Sequence, residues 1–241
     1  MGEEVENMPD SESGIHHFDN VDQVPYELQK YWHQRHNIFS KYDEGIWMTD
    51  DSWFGVTPEP VALQIADHIS RAAPPQKKVL IDVFGGPGGN AIAFALSSRW
   101  DQIFVVEKDP EVLKCAKHNA EIYGVAKKIH FRLGDCIEVV RKVYRSLGGK
   151  AVIYGSPPWG GPGYRDDAIF NLETMQPYSI GVLYKAFEIC TRDIVLYLPR
   201  TSNLNHLAKY GEEGKKFQVV HFCMNGASKA LCAYYGDFSE I

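Results

Sequence analysis

The sequence has no apolar run approaching the roughly 18 residues of a membrane span, and its acidic start lacks the basic opening of a secretory signal. A soluble, intracellular chain is the expectation. Paired cysteines are missing as well. Cys115, Cys136, Cys190, Cys223 and Cys232 are scattered without a Cys-x-x-Cys spacing, which reads as free, buried thiols in a reducing compartment. No metal is expected either, because His33 and His36 share a helix face with no carboxylate or cysteine to complete a ligand set. Tandem repeats and low-complexity tracts are absent. Nor is there a basic surplus. The formal net charge is −6, and Glu3, Glu4, Glu6, Asp10, Glu12 and Asp19, with no Lys or Arg in residues 1–20, account for all of it. Residues 1–20 are therefore read as a disordered acidic tail. The neutral remainder predicts no broad phosphate-binding surface, so contacts with nucleic acid would be few and local.

What is present suits one substantial core with an appendage: 241 residues, 44% apolar and 23% charged. Val79-Leu80-Ile81-Asp82-Val83-Phe84 has the pattern of a short buried strand and runs into Gly85-Gly86-Pro87-Gly88-Gly89-Asn90, after which Ile92, Phe94, Ala95 and Leu96 give a helical pattern. Strand, glycine turn and helix form a cofactor-binding arrangement, with Gly86, Gly88 and Asn90 as candidate contacts. The spacing is neither Gly-x-Gly-x-x-Gly nor Gly-x-x-x-x-Gly-Lys-Ser/Thr, and Pro87 lacks an amide, so a pyrophosphate cradle is disfavoured. Asp82 closes this strand, Glu107 closes the next and Asp135 follows the third. Three acidic strand tips around a glycine turn suit ribose, amino-acid and adenine recognition, as S-adenosylmethionine requires.

A second constellation follows the apolar run 151–154. In Ser156-Pro157-Pro158-Trp159-Gly160-Gly161-Pro162 the prolines fix the backbone and give up amides, leaving the Ser156 and Pro157 carbonyls as acceptors, while Trp159 offers a large π-face. Such a platform would grip a planar, amino-bearing heterocycle by face and edge together.

Strand patterns near 79–84, 103–106, 129–133, 151–155 and 194–198 alternate with helical ones, including 110–123. This specifies a mostly parallel sheet with helices on both faces. Runs at 217–223 and 231–235 flank Asn225-Gly226 as a closing hairpin, and residues 210–216 read as a mobile loop. The expectation is an α/β, class I (Rossmann-like) methyltransferase fold with a seven-stranded, mostly parallel sheet and an antiparallel C-terminal hairpin. An N-terminal helical extension, residues 21–70, would form a lid, leaving 71–241 as the methyltransferase domain. Within the extension, residues 25–42 read as one helix rich in aromatics and bases, with Pro25 in its first turn and Gly45 after its end. Thr57 is expected to cap, and Pro58 to begin, a helix reaching about Ile69.

With Asp82-Val83-Phe84-Gly85-Gly86-Pro87-Gly88-Gly89-Asn90 and the Ser-Pro-Pro-Trp-Gly-Gly-Pro run of 156–162 both in place, the chain resembles the trimethylguanosine synthase family. The likeness extends from about Tyr31 to the C-terminus and includes 39–45, 53–59 and Leu198-Pro199-Arg200. It implies methyl transfer from S-adenosylmethionine to the exocyclic N2 of the 7-methylguanosine cap of small nuclear and nucleolar RNAs, giving the 2,7-dimethyl and then the 2,2,7-trimethyl form. By the same resemblance Phe39, Thr57, Asp82, Glu107 and Asp135 would line the cofactor site. Ser156, Trp159, Tyr164, Lys30 and Arg200 would hold the cap, the last three near its phosphates. Ser156, Pro157 and Trp159 would carry the chemistry. A positively charged 7-methylguanine gains a cation–π term of about 0.5–2 kcal/mol on Trp159. The chain departs from the family pattern at Gly85, where Cys is usual, and at Thr201, where Asn is usual; the first should alter packing only, the second would remove a phosphate contact.

The resemblance further implies a compact catalytic chain, a monomer, in the nucleus or nucleolus with the cytoplasm as an alternative, recruited by core proteins of ribonucleoprotein particles. Two other readings are weighed. One is an adenine-N6, cytosine-N4 or protein-glutamine methyltransferase, against which Ser156 and the following Gly-Gly-Pro speak. The other is a cap-binding module without catalysis, against which the retained Asp82, Glu107 and glycine turn speak.

Overall fold

Five apolar side chains in the first lobe, Leu28, Trp32, Ile38, Phe39 and Tyr42, are all buried, and at 3.6 residues per turn they would share one helical arc of about 120°, the pattern of a continuous amphipathic helix. The computed structural model, which describes residues 14–160, 168–212, 217–224 and 226–240, breaks the chain instead. A 3₁₀ turn Tyr26–Leu28 leads into α1 (Gln29–Trp32), and after His33 and Gln34 comes α2 (Arg35–Ile38), then a 3₁₀ turn Tyr42–Glu44. The continuous helix expected over 25–42 is thus corrected to short turns that re-aim the apolar residues. Gly45 does end the segment, at φ 94°. Gly14 to Asn20 also belong to the fold and not to an acidic tail: β1 (Ile15–His16) pairs antiparallel with β2 (Met48–Thr49), and the Gly14 amide donates to Glu111. Ile15 is buried there, which outweighs the acidity that only Asp19 contributes to this stretch.

After α3 (Ser52–Gly55), α4 (Glu59–Ala72) lays Val61, Ala62, Ile65, Ala66, Ile69 and Ala72 onto the sheet. Its N-cap is Pro58, with no side-chain cap, so the capping role expected of Thr57 is not taken up. The strands are β3 (Val79–Asp82), β4 (Gln102–Glu107), β5 (Ile129–Leu133), β6 (Ala151–Gly155), β7 (Ile194–Pro199), β8 (Gln218–Met224) and β9 (Ala227–Tyr235). Between them lie α5 (Gly89–Leu96), α6 (Pro110–Ile122), α7 (Cys136–Val139), α8 (Ile180–Phe187) and α9 (Leu204–Ala208).

Among the described residues these strands form one sheet in the order β5-β4-β3-β6-β7-β9-β8, parallel through β7 and antiparallel at β9 and β8. The class I methyltransferase architecture is present. The strand order reverses between β3 and β6, and in open α/β sheets that switch point is where ligands bind, at the carboxyl ends of the strands. Asp82 ends β3 and Gly155 ends β6, so both sequence motifs emerge at this point. One apolar cluster packs α4, α5 and the N-terminal lobe on one face; a second packs α7 and α8 on the other.

Candidate active site

The glycine turn is shaped by its own backbone and by Glu107. Gly86 (φ 51°) and Gly88 (φ 98°) adopt the left-handed conformation that β-carbons disfavour. The Gly86 amide donates to Glu107 Oε2 at 2.9 Å, and Glu107 Oε1 accepts from the Lys108 and Asp109 amides at 2.8 and 3.0 Å. Glu107 is therefore a fastener of the turn, with lone pairs to spare for a hydroxyl. Gly88 lies against α6, where a β-carbon would stand 3.2 Å from the Ala116 Cα. At Gly85 a β-carbon would enter the Val105 side chain, which occupies the space that a cysteine needs.

Asp82 is fully buried. Its Oδ1 accepts from the Phe84 amide at 3.2 Å, while Oδ2 has no partner among the described residues. Loss of hydration raises its pKa well above the ordinary carboxylate range, and the negative charge of Glu107 adds to the rise. Asn90 repeats the pattern: Nδ2 donates to Thr57 Oγ1 at 3.1 Å, and Oδ1 is buried without a partner. Two orphaned acceptors beside one glycine turn fit a ligand that brings N–H donors and positive charge, as the amino-acid end of S-adenosylmethionine does. Phe39, almost fully buried, closes the same turn from the lobe; its Cζ lies 3.9 Å from where a Gly89 β-carbon would stand.

Asp135 is differently employed. Oδ1 caps α7 through the Ile137 and Glu138 amides at 2.9 and 3.1 Å, and Oδ2 accepts from the Tyr178 hydroxyl at 2.8 Å, which raises the Tyr178 pKa.

The second motif leaves β6 at the switch point. Pro157 is buried, Ser156 and Trp159 are half-buried and Pro158 is exposed. Trp159 packs against both core clusters, its Nε1 donates to the Tyr197 carbonyl at 3.4 Å, and the two rings lie 5.5 Å apart. Tyr197 on β7 is thus the support under the tryptophan. Lys30 and Arg200 are exposed and make contacts elsewhere: Lys30 Nζ sits 4.8 Å above the Tyr31 ring, and Arg200 donates to the Ser228 carbonyl at 3.4 Å. Tyr164, Gly161 and Pro162 lie outside the described residues. Thr201 supplies a backbone carbonyl to the Phe170 amide at 2.8 Å.

Two features escaped the sequence reading. Asn119, fully buried in α6, hydrogen-bonds both the Trp47 backbone and the Pro87 carbonyl. Glu59 binds the Ser40 amide and hydroxyl and the Tyr123 hydroxyl. An asparagine inside an apolar helical pattern, where it has low propensity, was the available signal for the first. Among the described residues no group of three or more His, Cys, Asp or Glu is placed to hold a metal ion, and no helix is long and apolar enough to cross a membrane.

Comparison with known proteins bears on this geometry. The family model described as RNA cap guanine-N2 methyltransferase matches residues 77–238. A trimethylguanosine synthase of Schizosaccharomyces pombe is 37% identical over 213 residues, covering 88% of this chain and 87% of its own. One of Saccharomyces cerevisiae is 34% identical, covering 88% of this chain and 68% of its own. Among solved structures, a candidate methyltransferase of Porphyromonas gingivalis W83 superposes with a TM-score of 0.63 at 16% identity, over 88% of this chain and 51% of its own. A candidate RNA methyltransferase of Pyrococcus horikoshii gives 0.52 at 13% identity, over 77% and 86%. These structural likenesses show the fold. The family match and the two yeast relatives go further: the chain belongs to the RNA cap guanine-N2 methyltransferases, enzymes that use S-adenosylmethionine.

Proposed function

We propose that this chain methylates the exocyclic N2 of a 7-methylguanosine RNA cap, and does so twice. The observation that carries the reading is the Ser156 to Trp159 platform, which leaves β6 next to the end of β3, where the orphaned Asp82 oxygen sits. Trp159, steadied by Tyr197, would stack the charged base. The Ser156 and Pro157 acceptors would hold the N2 hydrogens, turn its lone pair outward and stabilise the positive charge that develops on nitrogen. Asp82, Asn90, Gly86, Gly88 and Glu107, with Thr57 and Phe39 above them, would hold the cofactor; Asp135 would bound its adenine side. When bound, S-adenosylmethionine supplies an electrophilic methyl group. Since N2 becomes strongly acidic on alkylation, its proton can pass to water, and no general base is assigned. Lys30, Arg200 and Tyr164 would contact the cap phosphates.

The substrates proposed are small nuclear and nucleolar RNAs, in keeping with the names of the yeast relatives. A nuclear or nucleolar location, a monomeric state, recruitment by ribonucleoprotein core proteins, an N-terminal helical extension of residues 21–70, with the part before α4 as the lid, and a methyltransferase domain of 71–241 belong to the same proposal. The test is incubation with labelled S-adenosylmethionine and, in parallel, 7-methylguanosine diphosphate, guanosine diphosphate and adenine-containing DNA, with products resolved by mass. Gain of one and then two methyl groups on the first substrate alone supports the reading. Transfer to adenine, or none to any, overturns it.

A further inference from the structure

Besides the Asn90–Thr57 bond and the Phe39 contact at Gly89, one buried side chain of α6 joins the N-terminal lobe to the cofactor turn. Asn119 Oδ1 accepts from the Trp47 amide at 2.8 Å, and Nδ2 donates to the Trp47 carbonyl and to the Pro87 carbonyl, both at 2.9 Å. Both donors and the acceptor oxygen of this amide are engaged, in a fully buried position. Its neighbour His118 completes the grip: the ring stacks on Trp47 at 3.8 Å and 12°, and Nε2 pairs with the Gly45 carbonyl at 2.9 Å. One turn earlier, Ala116 meets Gly88 of the cofactor turn. A short stretch of α6 therefore touches the lobe on one side and the turn on the other.

A buried amide cannot shift one partner without straining the others, because each unpaired group would lose its hydrogen bond with no water to replace it. The position of the lobe and the shape of the turn are consequently set together. We infer that Asn119 is a positioning residue that couples cap binding to cofactor binding. This rests on the reading above, in which the lobe supplies Lys30 to the cap phosphates and Phe39 and Thr57 to the cofactor. A cap that draws the lobe down would settle Trp47, hence Asn119, hence the Pro87 carbonyl and the turn. By linkage the cofactor must tighten cap binding by the same factor.

The experiment is calorimetric titration of the full chain with S-adenosylhomocysteine, with and without saturating 7-methylguanosine-capped dinucleotide. The native enzyme is expected to bind at least about fivefold more tightly with the cap present. Asn119→Ala should reduce that ratio below about twofold, and His118→Ala, which spares the Pro87 bond, should leave an intermediate value. Lys117→Ala, exposed on the same helix, should keep the native ratio. If Asn119→Ala does not fold, the His118→Ala ratio decides. A native ratio of one with N2 methylation intact, a native ratio in the variants that fold, or a loss in Lys117→Ala equal to theirs overturns the inference alone. Absence of any binding of the capped dinucleotide overturns the cap reading, and the coupling with it.

Discussion

In the proposed site, Asp82 is a side chain that weakens the free fold and would serve a ligand. Because burial and the Glu107 charge raise its pKa, the folded chain holds the proton more tightly than the unfolded one. The group is neutral in both states at low pH. As pH climbs from the ordinary aspartate value of about 3.9 through the raised folded value, ionisation destabilises the cofactor-free fold. Asp82→Asn should therefore raise the melting temperature of the free protein at pH 8 by more than at pH 4, by about 2–4 °C for each kcal/mol relieved. If Asp82 holds the cofactor as proposed, the same change removes a charge-assisted hydrogen bond worth about 1.5–3 kcal/mol, so S-adenosylhomocysteine should bind about 10- to 150-fold more weakly. Thermal unfolding across pH and a binding titration check both halves. A variant less stable than the native chain at pH 8 would mean that the orphaned oxygen carries no penalty. Asp82 was legible because it stands between an apolar strand and a glycine turn. Asn119 was not, because its three hydrogen bonds reach two residues, Trp47 and Pro87, in distant segments, and Gly85 is intelligible only with Val105 filling the space beside it.

The lobe is fastened to the methyltransferase core by a polar latch at the start of α4. Glu59 Oε2 accepts from the Ser40 amide at 2.6 Å and from the Tyr123 hydroxyl; Oε1 accepts from the Ser40 hydroxyl at 2.9 Å. Burial, reinforced by the bond to Glu59, pushes the Tyr123 pKa up to about 12. Since Ser40 follows Phe39, the latch decides where that ring meets the cofactor turn. Glu59→Ala removes hydrogen bonds to a charged acceptor, a loss of about 1.5–3 kcal/mol, and should lower the melting temperature by about 3–12 °C. More telling is the kinetic pattern: KM for S-adenosylmethionine should rise while kcat falls little, because Ser156 and Trp159 are untouched. A fall in kcat at unchanged KM would separate the latch from the cofactor site. The aromatic and basic content of 25–42 was readable, whereas its breaks were not. They go with tertiary partners that periodicity does not reveal: Trp32 donates to the Phe18 carbonyl, while Phe39, in extended backbone, meets the glycine turn at Gly89, so tertiary context overrides local helix preference.

For the molecule as a whole, the parallel sheet and the meeting of two motifs at its switch point follow from strand patterns 4–6 residues long, each bounded by glycine, proline or an acid. What pattern alone could not supply is how the N-terminal lobe lies across α6. Charge is the remaining global property, and it bears on how RNA is held. With six uncompensated acids in residues 1–20 and equal numbers of acidic and basic residues beyond, the body offers little general attraction for phosphate. If Lys30 and Arg200 are the phosphate contacts, the expected salt slope for a single-stranded ligand is about −0.7 for each, about −1.4 together. KM for a capped dinucleotide should then rise about sevenfold between 50 and 200 mM salt. A capped RNA of about 20 nucleotides should show the same slope, within the roughly 0.7 that one further phosphate contact adds. The informative departure is a much steeper slope for the longer RNA alone. Lys127, Lys128 and Arg132, all exposed, stand on or just before the edge strand β5, and the exposed Arg141, Lys142, Arg145 and Lys150 follow in sequence, with only Asp135 and Glu138 as acids in that stretch. Their ordinary use is to keep an open strand edge soluble, and Lys142 is already paired with Glu138. A steep slope for long RNA would instead place the RNA body on that edge. An unchanged slope leaves recognition where the switch point puts it, in the cap and its nearest phosphates.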